Sequence, residues 1–182
     1  MKRICLFCGS SPRVDDRYLD LARDFGTAVA VRGIELVYGG GRTGLMGAAA
    51  DGALAAGGRV IGVIPRALAD LEVAHAGLTD LQLVDSMHER KARMADLSAA
   101  FAALPGGLGT LDEWFEIWTW AQLGFHHKPI GLLNFEGFFD PLLAFLDQLV
   151  DGGFVRPEHR AMAAVERDCE TLLEKLHSQA AC

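Results

Sequence analysis

One segment of the sequence joins a glycine-rich loop to an acidic residue. Residues 105–113 read PGGLGTLDE and follow an apolar run that ends at residue 104. Glycines at this density let backbone N–H groups approach an anion, and a helix that begins in the loop adds its positive end. Glu113 stands one helical turn further on, within reach of a group held by the loop. The segment therefore predicts chemistry on a phosphorylated substrate.

A second glycine cluster, residues 39–47, reads GGGRTGLMG and lies between an apolar run and an alanine-rich segment. Gly39, Gly41 and Gly44 satisfy the G-x-G-x-x-G pattern of dinucleotide-binding loops. The acidic residue that would hold a ribose is missing, because the next apolar run ends in Pro65 and Arg66. Neither cluster ends in the Gly-Lys-Ser/Thr of a nucleoside-triphosphate loop. A monophosphate or phosphosugar fits the two clusters better than a nicotinamide cofactor.

Short apolar runs alternate with amphipathic segments along the whole chain. Strands are predicted at residues 3–7, 34–38, 59–64, 81–84, 99–104 and 129–133, and helices at 17–31, 44–56, 87–97, 111–122, 137–150 and 169–178. This alternation is typical of an α/β fold, a Rossmann-like doubly wound parallel sheet. Such sheets bind ligands beyond the carboxyl ends of their strands. We expect Gly9 and Ser10 at that edge, in contact with the substrate, together with Gly40, Gly41 and Gly44.

A basic helix start separates the two glycine clusters. Ser86 and Glu89 have the spacing of a capping box, which gives Glu89 a structural role. Arg90 and Lys91 could lie on a solvated helix face, but their position after a strand end favours contact with an anion. Glu113 has an alternative of the same kind, because Thr110 and Glu113 also have capping-box spacing.

Length and composition limit the remaining possibilities. The chain has 182 residues, 51% of them hydrophobic, which suits one domain over residues 1–182. The net charge of −7 argues against nucleic acid as a partner. We find no apolar run of the roughly 18 residues that span a bilayer, and the first apolar run is too short for a signal peptide. We expect a cytoplasmic protein that does not engage a membrane.

The cysteines and histidines do not form a recognisable metal site. Cys5 and Cys8 make one C-x-x-C pair, but Cys5 lies inside the first apolar run, and Cys169 and Cys182 lack matching spacing for zinc. We interpret all four as free thiols. His75, His126, His127 and His177 are interpreted as surface or loop residues, and the tryptophans of 114–120 as core. No metal or organic cofactor is expected.

These motifs, in this order, resemble the LOG (Lonely Guy) family, cytokinin riboside 5′-monophosphate phosphoribohydrolases once called lysine decarboxylases. The resemblance covers most of the chain. It rests on FCGSS at 7–11, the cluster 39–47, VIP at 63–65, MHERK at 87–91, the segment 105–113 and TWAQLG at 119–124. One position departs from many members of the family: Asp112 stands where they carry glutamate.

The resemblance implies a reaction and roles for named residues. The expected reaction is hydrolysis of the N-glycosidic bond of an N6-modified adenosine 5′-monophosphate, or of AMP itself, to free base and ribose 5-phosphate. Arg90 and Glu113 would be the catalytic pair. The cradle for the phosphate would be formed by Gly107, Leu108, Gly109 and Thr110. Substrate would also contact Glu72, Lys91 and Thr119, and the site would be completed across a homodimer.

Three other functions stay open at this point. The first is a less selective nucleoside monophosphate nucleosidase with the same residues. The second is a non-catalytic carrier of a nucleotide or another phosphorylated ligand. The third, a pyridoxal-dependent decarboxylase, requires a Schiff-base lysine with partners for the cofactor ring, and Lys91 has no evident ring partner.

Overall fold

The sheet of the protein is parallel, and its strand order reverses direction at one point. The computed structural model describes residues 1–69 and 74–180. Its strands are β1 (Arg3–Phe7), β2 (Glu35–Tyr38), β3 (Val60–Pro65), β4 (Asp80–Val84), β5 (Ala100–Ala103), β6 (Ile130–Leu133) and β7 (Ala163–Glu166). The described strands pair in the order β4-β3-β2-β1-β5-β6-β7, each pair parallel. The predicted Rossmann-like doubly wound sheet is confirmed.

Helices cover both faces of this sheet. They are α1 (Asp16–Val31), α2 (Gly44–Ala55), the short α3 (Arg66–Ala69), α4 (Met87–Leu97), α5 (Leu108–Gln122), α6 (Asp140–Asp151), the short α7 (Pro157–Arg160) and α8 (Cys169–Gln179). Side chains alternate between the faces along each strand. In β1, Ile4 packs in the core beneath α1, α2 and α8, whereas Cys5 packs with Trp114 of α5 on the other face.

All six predicted strands are present, with ends within one residue of the prediction. The seventh strand, β7, was missed because it reads AAVE, and two small residues carry little apolar signal. The helix predicted over 137–150 begins at Asp140 instead. Pro141 occupies its first turn, and the preceding residues 135–137 form a 3-10 turn in which Gly137 has φ 77°.

The start of α5 differs most from the prediction. The helix begins at Leu108, three residues before the expected start at 111, and its N-cap residue is Gly107. A glycine cap offers no side-chain acceptor and is therefore a weak sequence signal. Thr110 lies inside the first turn, so the alternative in which Thr110 and Glu113 form a capping box is wrong.

The strand order reverses between β1 and β5. From β1 the chain moves to β2 on one side, and from β5 it moves to β6 on the other. The loops that leave the carboxyl ends of these two neighbouring strands therefore diverge and open a crevice, the usual ligand position in such sheets. The loop after β1 contains Gly9 and Ser10, and the loop after β5 contains Gly106 and Gly107.

Candidate active site

A cavity of about 550 Å³ lies at this reversal point. Its walls come from the loops after β1 and β5, the first turns of α4 and α5, and apolar side chains around its mouth. The cavity brings together eight of the residues predicted from the sequence: Gly9, Ser10, Arg90, Gly107, Leu108, Gly109, Thr110 and Glu113. The volume suits a ligand of nucleotide size.

The glycine loop after β5 delivers the start of α5 to this cavity. Cβ atoms built on Gly107 and Gly109 would meet nothing within 4 Å, so the backbone there is open to a ligand. Gly106 is packed tightly instead, because its Cβ would stand 2.9 Å from the backbone nitrogen of Gly9. The Gly9 N–H donates to the Pro105 carbonyl at 3.1 Å, which fixes the two loops together. The first N–H groups of a helix lack intrahelical acceptors, so this end can bind an anion.

Glu113 lies on α5 about one turn below that loop and lines the cavity while only 7% exposed. Its carboxylate is close enough to affect the loop after β1. Burial raises the pKa of the Cys8 thiol well above its usual value, and the negative charge of Glu113 raises it further. Cys8 also lines the cavity, and at neutral pH it stays a protonated thiol that cannot act as a nucleophile.

Arg90 faces the same cavity from α4 and is 3% exposed. Its guanidinium donates through Nε to the Val63 carbonyl and through Nη2 to the Gly39 carbonyl, each at 3.2 Å. A third contact runs from Nη1 to the Met87 sulfur at 3.7 Å. A carbonyl of β3 and the carbonyl of the residue that follows β2 thus hold this arginine, which is not on a solvated helix face.

The first turn of α4 is capped in a way that differs slightly from the prediction. The Ser86 hydroxyl accepts from the Glu89 N–H at 3.1 Å, as in a capping box. The Glu89 carboxylate, however, accepts from the N–H of Asp85 at 2.8 Å rather than from Ser86. Both bonds stabilise the turn that presents Arg90, and they give Glu89 the structural role expected of it.

Lys91 and Thr119 lie outside the described lining of the cavity. The Lys91 ammonium contacts Glu116 at 3.0 Å and Asp112 at 3.3 Å. Burial alone would lower the pKa of Lys91, but the hydrogen bonds to Glu116 and Asp112 outweigh it and leave the pKa raised. Thr119 is exposed on α5. Glu72, the third residue expected to bind substrate, lies outside the described residues.

The glycines of the second cluster lie outside the described lining of the cavity. Among the residues described, the lining includes neither Gly40, Gly41 nor Gly44. Gly44 has φ 60°, and a Cβ there would stand 2.6 Å from the Ser10 carbonyl carbon, so it packs against the loop after β1. The Thr43 hydroxyl donates to the Ser10 carbonyl at 2.9 Å. This cluster therefore supports a neighbouring loop, whereas two phosphate-binding loops were expected.

An apolar wall completes the cavity and was not predicted from the sequence. It comprises Val14, Tyr18, Leu45, Met46, Leu68, Met87 and Phe138. The rings of Tyr18 and Phe138 meet edge to face, with centroids 5.7 Å apart. Val14 and Leu45 could have been predicted from the sequence, because each lies in a segment that follows a strand. Phe138 could not, because it follows an irregular turn that has no periodic sequence pattern. This wall offers apolar contacts to an apolar substituent on a bound ligand.

Two further observations concern the described part of the chain. In residues 1–69 and 74–180, no group of three or more histidine, cysteine or acidic side chains could hold a metal ion. Across the same residues, every helix is too short or too polar to cross a membrane.

Comparison with known proteins adds to this geometry. A family model described as "Possible lysine decarboxylase" matches residues 46–176. A probable cytokinin riboside 5′-monophosphate phosphoribohydrolase of Oryza sativa subsp. japonica is 49% identical over 175 residues, which cover 96% of this chain and 77% of the relative. A cytokinin riboside 5′-monophosphate phosphoribohydrolase of Arabidopsis thaliana is 46% identical over 177 residues, 97% of this chain and 78% of the relative.

Solved structures share the fold at lower identity. A molybdenum cofactor carrier protein from Chlamydomonas reinhardtii superposes with a TM-score of 0.74, covering 100% of this chain and 99% of the carrier at 22% identity. Identity this low supports a common fold alone, because one fold hosts many functions.

Proposed function

The chain belongs to the LOG family of cytokinin riboside 5′-monophosphate phosphoribohydrolases, and we propose that it hydrolyses the N-glycosidic bond of N6-modified adenosine 5′-monophosphates. The products are the free base and ribose 5-phosphate. The observation that carries the proposal for the site is one cavity that contains a helix N-terminus, a buried carboxylate and a buried arginine. That set can bind a phosphate and stabilise positive charge on a ribose.

The phosphate is assigned to the start of α5. Gly107, Leu108, Gly109 and Thr110 line the cavity there, and the open space beside Gly107 and Gly109 lets an anion approach their backbone. Charge-assisted hydrogen bonds from N–H groups to phosphate oxygens are among the stronger ones in proteins. Because the phosphate is remote from the bond that breaks, its binding energy can position the ribose for reaction.

We assign Glu113 a position beside C1′, the carbon whose bond to the base breaks. When the C1′–N9 bond breaks, its electron pair goes to the base, and the ribose gains oxocarbenium character. A carboxylate beside C1′ stabilises that positive charge and accepts a proton from the attacking water. The water oxygen bonds to C1′, and the released base takes up one proton, so one water is consumed for each bond broken.

Arg90 is assigned to orientation and charge balance. Its hydrogen bonds to the Val63 and Gly39 carbonyls leave it little conformational freedom. A fixed guanidinium in the cavity favours the ionised form of a nearby carboxylate and can donate to the sugar or the base. No step in this scheme requires a metal or an organic cofactor.

The apolar wall supports a base with an apolar N6 substituent. Leu68, Met46 and Met87 are apolar members of the cavity lining, and the Met87 sulfur contacts Arg90. A less selective nucleoside monophosphate nucleosidase would use the same catalytic residues, and it differs only in its tolerance of plain AMP. A non-catalytic carrier would bind the same phosphate but would not require Glu113 and Arg90 in one cavity.

The substrate class is tested by chromatography of reactions with N6-isopentenyl-AMP, AMP and the isopentenyl riboside. We expect base release from N6-isopentenyl-AMP and slower release from AMP. For the riboside, kcat/KM should fall at least about 100-fold, which corresponds to the loss of two charge-assisted hydrogen bonds. Equal rates for AMP and its N6-isopentenyl derivative would favour the broader nucleosidase. Binding of both nucleotides without any release would favour the carrier.

We also propose that the protein is a homodimer formed through α5. Leu108, Asp112, Glu116, Thr119 and Leu123 recur at helical spacing and share one face of that helix. Leu108 and Leu123, at its two ends, are 88% and 60% exposed. Residues predicted to bind substrate, Lys91 and Thr119, lie at this face rather than in their own cavity. A second copy packed here would bring them toward its site.

Sedimentation velocity at micromolar concentration tests the dimer. The expected mass is twice the 19.6 kDa of the protomer. Leu123→Asp, which places a charge on the proposed interface, should shift the protein to monomer, while Val31→Asp on exposed α1 should not. A wild-type protein that sediments only as a monomer would contradict the dimer. A Leu123→Asp variant that remains a dimer would show that this face of α5 is not the dimer interface.

The cellular compartment is proposed on chemistry alone. The reaction uses a charged nucleoside monophosphate, which does not cross membranes unaided, and we propose that the protein works in the cytoplasm.

A further inference from the structure

The turn Gly39–Gly40–Gly41 follows β2 and contacts Arg90. It fits a nucleotide-binding pattern, yet none of its three glycines is in the described lining of the cavity. Its nearest catalytic neighbour is Arg90, whose Nη2 donates to the Gly39 carbonyl at 3.2 Å. The glycine turn is thus in direct contact with a residue of the proposed catalytic pair.

Gly39 leaves the space that the guanidinium occupies. A Cβ built on Gly39 would overlap Nη2 of Arg90 and stand 3.1 Å from Cζ, while the next neighbour, Met46 Cε, would be 3.5 Å away. The overlapping atom is the end of a flexible side chain, and Gly39 does not have a positive φ. Alanine at this position is therefore compatible with the backbone, but it forces Arg90 to move.

The rest of the turn is attached to the segment that precedes β4. Gly40 has φ 82°, a conformation that favours glycine, and its carbonyl accepts from the His75 N–H at 3.1 Å. Gly41 forms an antiparallel bridge with Ala74. The position of the Gly39 carbonyl therefore depends on where Ala74 and His75 are held.

The ring of His75 holds that segment to α2. Its Nδ1 accepts from the Gly77 N–H at 3.1 Å, so Nδ1 carries no proton. The hydrogen of the neutral ring is then on Nε2, which donates to the Asp51 carboxylate at 2.9 Å. The His75 side chain is 12% exposed. Both ring nitrogens are thus used, one within the segment and one toward a helix.

We propose that His75, Asp51 and Gly39 are positioning residues for Arg90. The His75–Asp51 pair fixes the segment that bonds to Gly40 and Gly41, and the fixed turn places the Gly39 carbonyl under the guanidinium. The inference rests on the proposed function, because it concerns the residue assigned to orient the sugar or base. It also predicts a structural effect that exists without substrate.

Catalysis is measured in a double-mutant cycle. Gly39→Ala should lower kcat about 100-fold, the cost of a misplaced catalytic group. His75→Ala and Asp51→Ala should each lower kcat roughly 3- to 30-fold, as expected for coupling through packed neighbours. Added to Arg90→Ala, none of the three should lower kcat further. Asp51→Asn keeps an oxygen that accepts from His75 and should retain most of the activity that Asp51→Ala loses. His127→Ala is the matched control, because His127 is an exposed histidine.

The position of Arg90 is measured directly by the NMR signal of its Nε–H group, identified by its loss in Arg90→Lys. In the wild-type protein the bond to Val63 should slow hydrogen exchange of this group. Gly39→Ala and His75→Ala should each shift the signal and speed its exchange, whereas His127→Ala should not.

Two results would overturn the inference: an unchanged Arg90 signal in both variants, or activity losses that multiply with the loss in Arg90→Ala. A wild-type protein that releases no base would contradict the proposed function instead. In that case the NMR experiment still decides the positioning role.

Discussion

Glu113→Gln is expected to lower kcat for base release from N6-isopentenyl-AMP about 1,000-fold, within the range that general acid–base groups contribute. The amide keeps the size of the side chain but removes the negative charge that would stabilise an oxocarbenium ion and the site that would accept a proton from water. KM should change little, because the phosphate is held by the start of α5. Steady-state kinetics of purified wild-type and variant enzyme measure both constants.

The matched control for this change is Glu174→Gln, at an exposed position on α8. It removes the same charge far from the cavity and should keep wild-type kinetics. Glu113→Gln should also lower the pKa of the Cys8 thiol. Burial and the negative charge of Glu113 both raise that pKa, and the substitution removes the charge. A Glu113→Gln enzyme with wild-type kcat would remove Glu113 from the reaction.

Arg90→Ala is expected to lower kcat/KM about 1,000-fold, the upper range for removal of one preorganised charged donor. Arg90→Lys should lower it about 100-fold, since an ammonium cannot reproduce the planar fork that contacts the Val63 and Gly39 carbonyls at once. The alanine variant also leaves those two buried carbonyls without their donor, so circular dichroism must accompany the kinetics.

Arg93→Ala is the control for the arginine series. Arg93 lies on the same helix but is exposed, and it donates to Gln82 at 2.8 Å. Its loss should affect neither kcat nor KM. If Arg90→Ala were folded and fully active, the assigned role of Arg90 would be wrong, and a fully active Arg90→Lys would contradict its role in orientation.

Most of the fold could be predicted because its signals are local. β1 reads RICLF with four of its five residues buried, and β2, β3, β5 and β6 are also largely or fully buried. The edge strand β7 lacked that signal. The start of α5 was placed late because Gly107 caps it without a side chain, so Thr110 was the first residue that resembled a cap.

The part of the site that comes from one continuous segment could be predicted from the sequence. Gly107, Leu108, Gly109, Thr110 and Glu113 follow one another at a strand–helix junction, and the fold brings them to one cavity. The contact between Gly39 and Arg90 joins residues 51 positions apart, and it could not be read from spacing. The same holds for Asp51 and His75, which lie 24 positions apart on different elements. A glycine cluster has one sequence pattern whether it holds a phosphate or an arginine.

The proposed reaction is tested by mass spectrometry of the products formed in water labelled with heavy oxygen. N6-isopentenyl-AMP is incubated with the wild-type protein, and Glu113→Gln serves as the inactive control. Hydrolysis at C1′ predicts unlabelled free base and ribose 5-phosphate that carries one heavy oxygen, with no inorganic phosphate. Release of labelled inorganic phosphate and an intact nucleoside would show cleavage of the phosphate ester instead and would contradict a phosphoribohydrolase.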